Sequence, residues 1–491
     1  MPKGRGGGGR TEPVRRGRRR PVAELRVARP AGLLASPVGP TDPRVLIVSA
    51  SVGGGHDGAA YELRRRLRQR GYRVDVRDYL DAMPARVGYL LRWVYAHQLR
   101  LAPASYQLLY QWVARTRLGF ALGCWFACWA CPRLRRWTRG CDTVVVTYPL
   151  AGQAFGRLRR RGLQARLVVF LTDFSPHPLW VVPAADLHLV LHEVTADDIR
   201  ARRPAARVRV AGPAVRDVFG RRPDARQLGR TRQCFGIPEG PVALLVAGSW
   251  GAGELDRVAR EVVNAGGYVP VVVCGQNQAL RARLARDGRV VALGWVDDMP
   301  GLMATADILI QNAGGLSSLE AFATGLPVLS YRCIPGHGRD NAEAMARAGV
   351  AMHACTRPGL AAALSELDEV TRRRLRSRAA GLFRDDPAAA VDELASATSA
   401  PQPATGQIRP AAGLAVAAAL SVLLALLAVT FPDAREERQI STIVHSVEHR
   451  VTNLSHTAGW RTTHRHRAVG VPITVLAAQR LRGGAYPGTA S

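Results

Sequence analysis

Apolar residues in this chain come in short unbroken runs, each closed by glycine, proline or charge. Val45-Leu46-Ile47-Val48 is the first, and a run of that kind suits a strand buried on both faces of a parallel sheet. A glycine loop follows, then a helical stretch over about 56–69 that Gly71 stops, then a second strand at 72–76. This is a βαβ unit. Further strands are predicted at 143–146, 167–171, 187–191 and 208–211, which closes a first domain, 43–212, near Gly212. Residues 213–240 are polar and Arg-rich, contain Pro223 and Pro238, and suit a connection. The rhythm then restarts. Strands at 242–246, 269–273, 289–293, 307–310 and 327–330 alternate with helices at 254–263, 278–287, 316–324 and 339–348. The expected fold class is therefore α/β, with two doubly wound Rossmann-like domains, 43–212 and 213–400, facing one another across a cleft.

Two stretches break this rhythm. Residues 86–137 form an insert in which rings such as Trp93, Tyr106, Tyr110, Trp112, Trp125 and Trp129 are interleaved with arginines. Amphipathic rings with flanking cations favour the lipid–water interface, so the insert is expected to face a membrane; a helical subdomain with inward-packed rings is the alternative. After a 401–410 linker, residues 411–431 carry no charge over 21 positions, a length that can span a bilayer. A C-terminal transmembrane helix is expected there, with a buried or surface-lying helix as the alternative. Residues 432–491 are a polar, His- and Arg-rich tail.

Charge adds to this picture. Lys and Arg total 68 against 38 Asp and Glu, a net charge of +30. Such a surface attracts nucleic acid, anionic phospholipid or a nucleotide diphosphate. Residues 1–42 are Gly-, Arg- and Pro-rich, and a basic disordered tail is expected. The first thirty residues lack an apolar core, so no secretory signal is expected and the body is read as cytoplasmic with reduced thiols. Cys124, Cys128, Cys131 and Cys141 lie near one another but not in paired C-x-x-C units, which favours small buried hydrophobes over a zinc site.

The candidate chemistry sits in loops after strands. Ser51 to Gly58 holds three consecutive glycines, Gly53, Gly54 and Gly55, and His56 opens the helix behind them. Glycine lets backbone approach a ligand, and the helix start offers unpaired N–H groups. A histidine there can take a proton from an acceptor hydroxyl. A capping or packing histidine is the alternative. Gly53, Gly55 and Gly58, with Asp78 further on, also satisfy a dinucleotide fingerprint, so an NAD- or FAD-dependent oxidoreductase stays a rival. Three later loops could hold a nucleotide diphosphate: one with Gly248, Ser249 and Gly251, one with Gly294 and Val296, and one running Asn312-Ala313-Gly314-Gly315-Leu316-Ser317-Ser318-Leu319-Glu320. Ser317 and Glu320 could instead form a helix capping box. No Asp-x-Asp pair occurs, so loop amides and helix dipoles would have to neutralise the diphosphate, and no metal cofactor is expected.

These segments resemble the monogalactosyldiacylglycerol synthase family. They are more distantly similar to the N-acetylglucosaminyltransferase that makes lipid II. The resemblance rests on Val45 to His56, on Asn312 to Pro327, on Thr172-Asp173-Phe174 with His177 and Trp180, and on Val208 to Phe219. It implies a GT-B fold and an inverting transferase with a UDP-sugar donor, a membrane lipid acceptor, and glycolipid as product. It further implies that His56 is the base. Gly54, Gly55, Asp173, His177 and Trp180 would face the acceptor. Gly314, Gly315, Ser317 and Ser318 would face the diphosphate, Glu320 the ribose, the 294–299 loop the uracil, and Asn341 would belong to the donor site. The family's plant-type pattern after Ile-Pro-Gly is Gln-Glu-x-x-Asn; here Ile334-Pro335-Gly336 is followed by His337-Gly338, which leaves the hexose open. An enzyme of this kind is expected at the cytoplasmic face of the plasma membrane, on anionic phospholipid, without a specific nucleic acid partner. A non-catalytic basic scaffold is the second rival.

Overall fold

A computed structural model of the chain describes residues 43–84, 87–101, 103–246 and 253–397. The basic tail, the 401–410 linker, the 411–431 segment, the polar tail and the loop holding Gly248, Ser249 and Gly251 lie outside the described residues. Among the described residues no helix is long and apolar enough to cross a membrane.

Two six-stranded parallel sheets carry the structure. The first contains β1 (Arg44–Ser49), β2 (Arg73–Asp78), β3 (Thr143–Val146), β4 (Arg166–Phe170), β5 (Leu187–Val190) and β6 (Val208–Val210), in the order β2-β1-β3-β4-β5-β6. The second contains β7 (Val242–Val246), β8 (Val269–Val273), β9 (Val291–Leu293), β10 (Ile308–Gln311), β11 (Val328–Tyr331) and β12 (Met352–Ala354), in the order β12-β11-β10-β7-β8-β9. The unbroken apolar runs are the central strands: Val45, Leu46, Ile47 and Val48 are buried, as are Val242, Ala243, Leu244 and Leu245. Helices cover both faces, so no position on these strands meets water and no alternation is needed.

Strand order reverses direction between β1 and β3 in the first sheet and between β7 and β10 in the second. Such switch points open a crevice beyond the carboxyl ends of the strands. The loop after β1 leads into helix Gly54–Gln69, and the loop after β10 leads into helix Leu316–Thr324. Both crevices face each other. Apolar packing is continuous beneath them: Phe174 of the first domain meets Phe322 of the second edge-on at 6.3 Å between ring centroids.

The insert is four helices, Val87–Leu101, Pro103–Arg115, Arg117–Ala127 and Cys131–Trp137, the last preceded by the 3-10 turn Cys128–Ala130. The polar connection contains helix Ala225–Cys234, begun by a reciprocal capping box between Asp224 and Gln227. Between residues 349 and 397 stand β12 and three α-helices that the apolar pattern did not predict. The last of them, Pro387–Ser396, does not stay with the second domain as a 213–400 boundary implies. It returns to the first, where Tyr72 donates to Asp392 at 2.6 Å and Arg166 to the Ala395 carbonyl at 2.5 Å.

Candidate functional site

The two glycine loops meet. Helix Gly54–Gln69 and helix Leu316–Thr324 present their N-termini to one another across the domain boundary. A side chain on Gly58 would lie 2.5 Å from Leu316 Cδ2, and one on Gly55 3.8 Å from the Leu316 amide. Gly58 is therefore explained by the approach of the second domain rather than by a dinucleotide. Asp78, the ribose ligand that a dinucleotide reading needs, is already engaged. Its carboxylate accepts from the Leu80 amide at 2.8 Å and from Arg92 at 2.8 Å.

His56 stands in the first turn of its helix, half-buried, with its ring fixed from three sides. Thr172 Oγ1 is 3.1 Å from Nδ1. Tyr148 packs edge-on at 5.3 Å and Trp180 lies at 6.0 Å. Thr147 Oγ1 donates to the His56 carbonyl at 3.2 Å. Thr147 and Tyr148 follow β3, and Thr172 follows β4, so the ends of two strands aim this one ring. With Nδ1 held by Thr172, Nε2 is the nitrogen left for chemistry.

Trp180 is 1% exposed and forms the wall behind His56 rather than an open acceptor surface. His177, two residues after Ser175, caps the 3-10 turn Pro178–Trp180 by accepting from the Leu179 amide at 3.2 Å. Its Nε2 is buried without a hydrogen-bond partner, and burial brings the ring down to about 4, so it is neutral at pH 7.

On the opposite side the helix start is bare. Gly315 is its N-cap and supplies no side-chain bond, so the capping-box reading of Ser317 and Glu320 does not hold. The Ser318 hydroxyl is buried with no partner. Gly314 has φ +71°, and a side chain there would lie 2.8 Å from Asn341 Cβ. Gln311, at the end of β10, shapes this turn: its Oε1 accepts from the amides of Ala313, at 2.7 Å, and Gly314, while its Nε2 donates to Ser330 Oγ at 2.6 Å. Nothing in the motif points to Gln311, because a buried glutamine bonding its own loop leaves no spacing signature. Glu320 lies one turn into the helix. No hydrogen bond reaches its carboxyl group among the described residues. Burial pushes it up to about 7, and Arg216 pulls it partly back. An uncapped helix start, an unpartnered buried hydroxyl and a poised carboxyl group suit an anion with an attached diol.

Other expected donor residues are placed differently. Asn341 is 1% exposed, and its side chain joins the domains: Nδ2 donates to Asp173 at 3.0 Å and Oδ1 accepts from the Ser175 amide at 2.9 Å. Both of its polar atoms are thus engaged between the domains. Asp173, expected on the acceptor, is the other half of that tie. Gly294 follows the edge strand β9, away from the switch point, and the Val296 side chain is buried in the core, which leaves only backbone for a ligand. Asn312 lies beside Gly253, where a side chain would lie 2.3 Å from Asn312 Nδ2.

The insert divides its aromatics. Tyr106 and Tyr110 face the second domain. The Tyr106 hydroxyl is 2.9 Å from His337 Nδ1, and Tyr110 donates to Asp340 at 3.0 Å. Gly336, at φ +75°, gives them room, since a side chain there would lie 3.1 Å from the Tyr110 ring. His337, lowered by burial, thus stands in the gap between the domains. Tyr89, Leu108, Leu118 and Trp125 of the insert are instead exposed.

Comparison with known proteins gives two family matches. The model of the monogalactosyldiacylglycerol (MGDG) synthase family matches residues 56–215, and that of glycosyl transferases group 1 matches residues 250–369. The chain is 26% identical over 328 residues to a processive diacylglycerol beta-glucosyltransferase of Bacillus cereus, an alignment covering 63% of this chain and 82% of the relative. The protein of the same description from Bacillus thuringiensis is equally similar, 26% over 328 residues with the same coverage. Among solved structures, MurG of Acinetobacter baumannii is 19% identical and covers 72% of this chain and 98% of its own, with a TM-score of 0.46.

Proposed function

We propose that this chain, a hexosyltransferase of the monogalactosyldiacylglycerol synthase-like GT-B kind, moves a hexose from a UDP-sugar to the free hydroxyl of a diacylglycerol-type lipid with inversion at the anomeric carbon. The observation that carries the reading is the meeting of two helix starts across the domain gap, one bearing His56 and the other an unpartnered Ser318 hydroxyl and Glu320. The first domain would receive the acceptor and the second the donor.

The reaction is a single displacement. His56 Nδ1–H donates to Thr172 Oγ1, and Nε2 takes the proton of the lipid hydroxyl as its oxygen attacks the anomeric carbon. The bond from that carbon to the diphosphate breaks, and the charge released is met by the amides of helix Leu316–Thr324 and by Ser318. Glu320 receives the ribose hydroxyls. The leaving group needs no metal in this scheme, so excess chelator should leave the rate unchanged.

The acceptor implies a membrane. Exposed Tyr89, Leu108, Leu118 and Trp125 on the insert, with a net charge of +30, suit peripheral binding to anionic phospholipid at the cytoplasmic face.

The test is incubation of the enzyme with labelled UDP-sugars and diacylglycerol vesicles, with identification of the glycolipid. His56→Ala should lower turnover by about 100-fold or more while UDP affinity, measured by calorimetry, stays within about threefold. Wild-type turnover in that variant would remove His56 from the reaction. Failure of every UDP-sugar to reach lipid would remove the function itself.

A further inference from the structure

Cys128-Trp129-Ala130-Cys131 is a single C-x-x-C in the insert, unused by the transfer chemistry proposed above. Its backbone is a 3-10 turn running into helix Cys131–Trp137, and the Cys131 amide donates to the Cys128 carbonyl. Helical residues three apart have α-carbons about 5–6 Å from one another. A disulfide needs roughly 4.4–6.8 Å, so the α-carbon spacing of this turn lies within its reach. Cys128 is half-buried and Cys131 is buried, which leaves one sulfur reachable and the other behind it. Arg157, Arg160 and Arg161 surround Cys128, and the Cys131 thiol turns either to the Ala154 carbonyl, 3.5 Å away, or to the Cys128 sulfur. The hydrogen bond from Cys131 first, and the arginines after it, outweigh burial and bring the Cys128 thiol down to about 7, whereas burial pushes nearby Cys124 up to about 12.

We propose that Cys128 and Cys131 are a redox-active dithiol, with Cys128 the attacking and exposed sulfur and Cys131 the resolving one. The co-reactant is a low-molecular-weight disulfide such as oxidised glutathione. The Cys128 thiolate attacks one glutathione sulfur, forms a mixed disulfide and releases one glutathione thiolate. Cys131 then loses its proton to solvent and its sulfur attacks the Cys128 sulfur, which releases the second glutathione thiolate. Two protein thiols are oxidised by two electrons, and one glutathione disulfide is reduced to two thiols.

The bond is coupled to the acceptor side. The Cys128 thiol donates to the Cys124 carbonyl at 3.0 Å, a bond given up when the thiol ionises to attack and not regained once the disulfide closes. Cys124 donates to Gln153 Oε1 at 3.4 Å, and Gln153 Nε2 donates to the Leu179 carbonyl at 2.8 Å, between His177 and Trp180. Closing the dithiol should therefore raise the KM for lipid several-fold and leave the KM for donor unchanged. Only this coupling rests on the lipid-transfer reading; the dithiol itself does not.

The experiment treats the full chain with oxidised glutathione at pH 7.5 and maps thiols by mass spectrometry. The expected result is loss of two hydrogens with a peptide linking Cys128 to Cys131, and, in Cys131→Ser, one glutathione trapped on Cys128. At pH 6.5 iodoacetamide should label Cys128 faster than the exposed Cys234 and Cys355 in the same digest. Slower labelling of Cys128 than of both, or no adduct on it in Cys131→Ser, overturns the dithiol. A fully cross-linked enzyme with an unchanged KM for lipid overturns the coupling.

Discussion

His56 is aimed by a neutral hydroxyl, and that makes Thr172 a positioning residue whose contribution can be separated from binding. Thr172→Val keeps the shape of the side chain and removes the partner of Nδ1. The ring then chooses its tautomer freely, and kcat is expected to fall about tenfold with the donor KM unchanged, while Thr172→Ser restores most of the rate. A loss confined to KM would assign Thr172 to substrate instead. Glu320 gives a second residue-scale expectation. Burial holds its carboxyl group at about 7 in the free enzyme. Ribose hydroxyls donating to the carboxylate would lower that value, so UDP binding releases a proton. UDP affinity should accordingly be full above pH 7 and fall as pH drops through 7 toward 6, by up to tenfold per pH unit. Glu320→Gln should bind more weakly at pH 8 and show a flat profile; a wild-type affinity indifferent to pH between 6 and 8 would take Glu320 away from the ribose. His56 was legible because triple glycine before a helix is rare and local. Tyr106 and His337 were not legible as a pair, since their contact joins positions 231 apart and depends on how two domains close.

At the scale of elements, the strands were the clearest. A strand buried on both faces must be apolar at every position, and four or five such residues between turn formers cannot hide. β12, Met352-His353-Ala354, is a three-residue edge strand with a histidine at its centre, so it offers no run to see. Glycines carried a different lesson. Gly58 reads as part of a nucleotide fingerprint, yet its vacancy is filled by Leu316 from the other domain. Gly338 reads as a lost sugar ligand, and the structure gives it a steric reason. A side chain at 338 would lie 2.5 Å from Ile334 Cγ1 and 2.8 Å from the Asn312 carbonyl. The first of these could swing away; the second is the backbone of the donor loop itself. Gly338→Ala should therefore push helix His337–Arg347 off that loop. We expect a loss of about 1–3 kcal/mol of stability, seen as a fall of several degrees in Tm, together with a higher donor KM. A variant with unchanged Tm and KM would mean that the 312–315 loop yields freely.

Among the described residues the chain crosses between the domains twice, and the second crossing explains why a boundary drawn from the sequence fell short. The chain passes from first to second domain through residues 211–224, then returns in helix Pro387–Ser396, whose Ala388, Ala390 and Val391 are buried. Three alanines in a row are a weak apolar signal, and nothing local says which domain they join. Charge decides it. Asp386 caps the helix by accepting from the Ala388 amide at 3.0 Å, and its two oxygens also receive Arg66 at 3.1 Å and Arg70 at 3.0 Å from the first domain. Burial works to raise the Asp386 carboxyl group, but the Ala388 amide with Arg70 and Arg66 outweighs it and holds the group below the ordinary carboxylate range. A depressed folded-state value means that the stabilisation is complete above about pH 4, where the unfolded aspartate is already ionised. It is lost as acid protonates the group in the folded protein. Asparagine caps a helix as well as aspartate does, so Asp386→Asn removes the interdomain charge pairs alone. It should lower stability at pH 7 by about 1 kcal/mol, since these pairs are partly solvated, and the gap from wild type should narrow as pH falls below 4. If the two unfolding curves instead stayed parallel down to pH 3, the tie would be apolar, and the arginines of helix Gly54–Gln69 would contribute by packing their stems rather than by pairing.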